Sequence, residues 1–195
     1  MSLSRSRVVV GLGVAALFAA IGLTGLVSRS LSVSTFAAQS KASAPGAEQK
    51  PLEFLAGKWR FAGTTHDSQF GKGGKTTGTT SCEWFDGRFH LVCRGEFTEA
   101  DGTKATQMEI IGYSKMERMY ERFHIDSSGG SSKATATLNG KTWGWHGTAT
   151  LDGKKTRFDF PVTQTSQDSY TVKVTMTPEG GKPAVLEEVT ATRIK

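Results

Sequence analysis

The sequence predicts an all-β chain: an antiparallel up-and-down β-barrel of about ten strands, with a short helix before the first strand and a separate hydrophobic targeting helix at the N-terminus. Three observations predict it. Turn pairs recur at a regular beat (Asp86-Gly87, Asp101-Gly102, Ser128-Gly129-Gly130, Asn139-Gly140, Asp152-Gly153, Gly180-Gly181), and such pairs supply the positive φ that hairpin turns need. Between them apolar and polar residues alternate, most cleanly over Tyr170–Thr177, which is the period of a strand with one wet face. No stretch of helical period is long enough to carry a crossover between parallel strands.

The elements follow in chain order. Residues 8–27 (VVVGLGVAALFAAIGLTGLV) form an uncharged apolar run of 20 residues preceded by Arg5 and Arg7. That length suits a signal peptide or a membrane-spanning anchor, and a cleavage site is readable after Ala37 or Ala38, so residues 1–38 are expected to be one or the other. Either delivers the rest of the chain to the periplasm, the cell surface or the medium. Residues 39–50, within a stretch rich in Ser, Ala and Gln, have no period of 2 or 3.6 and are expected to be a flexible linker. Pro51–Ala56 predicts one or two helical turns, with Pro at the start and Gly57 just after the end. Residues 51–195 then form the barrel domain. A meander this long, with one apolar face, hides that face and its edges by closing on itself.

The formal charge of +6 invites a nucleic-acid reading. Arg5, Arg7 and Arg29 fall in the first 40 residues, and without them 21 basic residues face 18 acidic ones. These charges are interspersed along the chain, so the basic patch of a nucleic-acid binder is missing. Membrane contact is expected through the N-terminal segment only.

Leu55-Ala56-Gly57-Lys58-Trp59, with Arg193 near the chain end, resembles the signature of the calycin group of lipocalin-like barrels. The resemblance implies that Gly57 and Trp59 close the barrel floor and that Arg193 lies across the indole. Adding Cys82-Glu83-Trp84-Phe85-Asp86-Gly87-Arg88-Phe89, Gly112-Tyr113-Ser114, His124-Ile125-Asp126-Ser127 and Thr192-Arg193, the chain from about 51 to 194 resembles the bacterial domain of unknown function 1579 family. Ser114 stands where that family is expected to carry Asp. The resemblance implies a fold and no activity.

Cys82 and Cys93 flank the Asp86-Gly87-Arg88 hairpin. With Gly87-Arg88 as a two-residue turn, Cys82 falls opposite Cys93 and Trp84 opposite Leu91. That register allows a disulfide; the alternative is two buried free thiols. Gln69–Thr76 is glycine-rich, but it has Gln69 where a phosphate loop needs Gly, and strands on both sides. No two of His66, His90, His124 and His146 stand at a local metal-ligand spacing, and alternation turns His90 and His124 away from the apolar faces of their strands. Asp126 beside Ser127-Ser128-Gly129-Gly130 is expected to serve turn amides. There is no GxSxG, HExxH or CxxC, so catalytic, metal and cofactor roles are not expected.

The aromatic and aliphatic residues of apolar parity point inward. Trp84, Leu91, Phe123, Trp145 and Phe160 are accordingly expected to line the interior and meet a small hydrophobic or amphipathic ligand there. The alternative reading is a structural or interaction protein of the envelope with a filled barrel core. Sequence alone leaves the oligomeric state open.

Overall fold

The computed structural model describes residues 44–151 and 153–195. The targeting segment, most of the linker and Asp152 lie outside the described residues, and no described helix is long and apolar enough to cross a membrane. Ten antiparallel strands follow in sequence: β1 (Gly57–Thr65), β2 (Gly74–Trp84), β3 (His90–Thr98), β4 (Lys104–Ser114), β5 (Met119–Asp126), β6 (Ser131–Asn139), β7 (Thr142–Leu151), β8 (Lys154–Gln164), β9 (Ser169–Pro178) and β10 (Ala184–Arg193). Each pairs with its chain neighbours, and β1 pairs with β10, so the barrel is closed and has no edge strand. Gly87, Gly102, Gly129, Gly140 and Gly180, each in a connection between consecutive strands, all have positive φ.

The helix differs from its sequence expectation. It is a 3-10 helix over Ala47–Phe54, so residues 47–50 belong to it and not to a linker. Two contacts explain the earlier start. The Gly46 N–H donates to Gln49 Oε1 at 2.8 Å, closing the first turn. Pro51 has no N–H with which to meet the Glu48 carbonyl in the i to i+3 pattern, and the Tyr120 hydroxyl donates to that carbonyl instead at 3.0 Å.

The helix covers one end of the barrel. Leu52 and Leu55 are buried beneath it with Trp59, Trp143 and Leu91. Trp59 Nε1 donates to the Leu55 carbonyl at 2.9 Å. Arg193 donates to the carbonyls of Ala56 at 2.7 Å and Phe54 at 2.8 Å, and its guanidinium lies 4.1 Å from the Trp59 ring centre. Gly57 has φ +109°, and a Cβ there would meet Arg193 Nη1 at 2.7 Å. The position therefore needs glycine both for its backbone and for the arginine that crosses it.

The β2–β3 register is the one Cys82 and Cys93 suggested: Cys82 opposes Cys93, and Trp84 opposes Leu91. The two-residue turn is replaced by a wider loop, with the strands ending at Trp84 and resuming at His90 and with Gly87 and Arg88 both at positive φ. Cys82 and Cys93 form a buried disulfide with Cα atoms 4.0 Å apart. Replacing both by serine is expected to cost about 2–3 kcal/mol, measured as the shift in urea unfolding free energy.

Candidate functional site

The interior divides into two halves. At the helix-covered end the inward side chains are fully packed, as with Trp59, Leu91, Ala136, Trp143 and Ala191. Toward the other end inward residues such as Phe61, Phe97, Ala149, Val174 and Met176 are only half-buried although they face the barrel axis, so solvent reaches them from the open mouth. The wall there is thinned by glycine: a Cβ on Gly78 or Gly95 would come within 2.6 Å of the Phe97 ring, which lies against both backbones.

Polar groups from β4 and β5 project into this space. Tyr113 opposes Tyr120 across the hairpin, their rings 5.2 Å apart, and Tyr120 is tied inward by its bond to Glu48. Fixing Tyr120 inside puts Arg122, His124 and Asp126 inside with it and turns Met119, Glu121, Phe123 and Ile125 out, because strand parity is all or none. This overturns the parity expected for β5. Phe123, predicted to line the interior, lies on the outer wall with 47% of its surface exposed, and His124 faces in. His90 points outward, as alternation with Leu91 requires.

On β4, Glu109 opposes His124. Its Oε1 accepts from Arg122 Nη2 and from Gln107 Nε2 at 2.9 Å. Burial works against the Glu109 charge, but the Arg122 guanidinium and the adjacent His124 outweigh it and hold the carboxyl down at about 2. The other face of Arg122 covers the Phe160 ring at 4.8 Å, and Phe160 stacks on Trp145 at 6.1 Å. His124 sits between two carboxylates, Nδ1 3.6 Å from Glu109 Oε1 and Nε2 3.4 Å from Asp126 Oδ2. Asp126 accepts from the Ser128 hydroxyl and from the N–H groups of Ser128 at 2.8 Å and Gly130 at 3.0 Å. These bonds, the Ser128 hydroxyl first, depress its carboxyl against a smaller opposing effect of burial.

The predicted interior residues therefore separate into three groups. Trp145 and Phe160 lie side by side on the wall beneath Arg122. Trp84 and Leu91 belong to the floor: Leu91 is fully buried, and Trp84 Nε1 donates to Glu53 of the helix. Phe123 is outside. Glu109, Arg122, His124 and Gln107 were missed by hydrophobic parity. The signal that finds them is the Tyr113–Tyr120 pairing, which fixes the β4–β5 register before any apolar residue is counted.

Three buried side-chain atoms lack a partner among the described residues: Gln49 Nε2, His124 Nδ1 and Trp143 Nε1. All are nitrogens, and the first and last can only donate. Gln49 and Trp143 belong to the helix-covered end, and His124 Nδ1 faces the open half. Among the described residues no group of three or more His, Cys, Asp or Glu side chains could hold a metal ion.

The family described as protein of unknown function (DUF1579) matches residues 44–193. The chain belongs to this family. The departure at Ser114 has a local counterpart in this DUF1579 barrel: Ser114 Oγ accepts from the Glu117 N–H at 3.2 Å, the acceptor role a carboxylate can also fill at such a turn. No curated protein matches the DUF1579 chain. Among solved structures it is similar to Rv2717c from M. tuberculosis, with 12% identity, 75% of this chain and 98% of that chain covered, and a TM-score of 0.53. It is also similar to the S-type phycobiliprotein lyase CPES from Guillardia theta, with 14% identity, 77% and 99% covered, and a TM-score of 0.48. At such identities the likeness to Rv2717c is one of fold.

Proposed function

We propose that this DUF1579 protein is an exported binding protein that holds a small amphipathic molecule in the open half of its barrel. The observation that carries this reading is the contrast between a packed floor and a half-buried, inward-facing upper wall, with the Arg122–Glu109–His124 group set into that wall. The apolar body of the molecule lies against Phe61, Phe97, Val174 and Met176, whose half-buried inward surface is then withdrawn from water. Its head group accepts hydrogen bonds near Arg122 and His124. Glu109 is already satisfied by Arg122 and Gln107, and Asp126 by turn amides, so these carboxylates hold the donors in place. Export rests on residues 8–27 and on a disulfide that suits an oxidising compartment.

Titrating the full chain with an environment-sensitive apolar fluorophore tests the reading. Saturable one-to-one binding is expected, weakened at least about tenfold by Phe97→Ala in the open half and left unchanged by Phe123→Thr on the outer wall. Circular dichroism checks that both variants fold. Absence of saturable binding, or equal sensitivity to the two substitutions, rejects an interior site.

A further inference from the structure

The five exposed large hydrophobic residues among the described residues, Phe85, Ile110, Met116, Phe123 and Ile125, all lie on one flank: the β2–β3 loop, β4, the β4–β5 turn and β5. Pairing makes the wall portion continuous, with Val92 opposite Ile110, Ile110 opposite Phe123, and Met108 opposite Ile125. Exposed apolar side chains scattered singly need no explanation, but a contiguous stripe on a barrel otherwise faced with Thr and Lys does. Open hollows of about 730 and 820 Å³ lie on either side, and Ile125 borders both.

We propose that this flank is a self-association surface, and that its partner is a second copy of the same chain. The charges beside the stripe select that occupant. Arg94, Lys115 and Arg118 stand with Glu83, Asp86, Glu96 and Glu117, all exposed and none in an intramolecular ion pair among the described residues. A surface carrying both signs side by side can set its cations against the carboxylates of a second copy across a two-fold axis. An anionic bilayer would be repelled by the four carboxylates at least as strongly as it was attracted by the three cations. The barrel has no edge strand, so two copies meet through side chains of the wall and not by pairing strands. From Ile125 to Met116 the flank is roughly 30 Å long at about 3.3 Å per residue, and three strands and their loops make it roughly 15–20 Å wide. A contact of that size buries on the order of 1,000 Å² in total, at the lower limit for a specific interface, so the dimer is weak and concentration-dependent.

Sedimentation equilibrium of the full chain over the micromolar range tests this. Phe123→Thr with Ile125→Thr keeps strand-forming residues on an exposed face, so the fold is retained, and the expected result is a monomer–dimer equilibrium weakened by about tenfold or more. Arg94→Glu with Arg118→Glu is expected to weaken dimers of its own kind. Mixing that chain with one carrying Glu83→Lys and Glu117→Lys is expected to recover a mixed dimer. A wild-type chain that stays monomeric overturns the proposal, as does association equally strong in the threonine double variant. Failure of the charge-reversed pair to recover a dimer overturns the two-fold arrangement. None of these outcomes depends on whether the interior binds a ligand.

Discussion

Replacing Arg122 by methionine is expected to lower the unfolding free energy at neutral pH by about 3–5 kcal/mol, the usual cost of removing one partner from a buried ion pair. The guanidinium is the one cation hydrogen-bonded to Glu109 among the described residues, and it packs on Phe160, so the variant leaves the buried carboxylate with only Gln107 and the more distant His124. The pH dependence carries the distinctive signature. In the folded protein the Glu109 carboxyl sits at about 2 against an ordinary value of 4.5, so its stabilising contribution is complete above pH 4.5 and is lost as pH falls from there through about 2. That loss is on the order of 3 kcal/mol. In the methionine variant burial is opposed only by the adjacent His124, so the carboxyl is held down less and stability falls less steeply on acidification. Urea midpoints at neutral pH and near pH 3 for both chains check the claim: a wild-type acid loss that Arg122→Met leaves unchanged would contradict it.

Arg193→Met is expected to cost about 3–4 kcal/mol by a different route. It leaves the carbonyls of Phe54 and Ala56 without their donor at the helix C-terminus and removes the cation from the Trp59 face. Arg193→Lys recovers little of this, because an ammonium cannot meet two carbonyls and cover an indole at once. Chemical denaturation followed by tryptophan fluorescence gives both values, and a lysine variant as stable as the wild type would rule out the geometric role.

Much of the fold is legible in the sequence because its signals are local. Gly87, Gly102, Gly129, Gly140 and Gly180 mark hairpins by the positive φ they adopt, and the alternation of Tyr170, Val172, Val174 and Met176 gives β9 its inner face directly. The β4–β5 turn has no glycine and uses Arg118 at φ 54°, so no turn signal marks its register, which only the Tyr113–Tyr120 pair gives. Hydrophobicity then misassigns β5, because its inner face carries the charges and its outer face carries Phe123 and Ile125. The candidate site lies on the strand where the usual rule fails, since a polar network needs inward positions that apolar residues would otherwise fill. The start of the helix was hidden for a related reason: the partner that replaces the missing Pro51 N–H is Tyr120, 72 residues away in sequence.

The account turns on whether the open half of the barrel holds a molecule. Native mass spectrometry of the protein purified from its own host measures this most directly. The expected spectrum carries a mass above that of the polypeptide, released on denaturation and reduced in the Phe97→Ala chain. A bare polypeptide mass, together with an interior that admits no apolar probe, would contradict the account and leave the barrel as a filled scaffold.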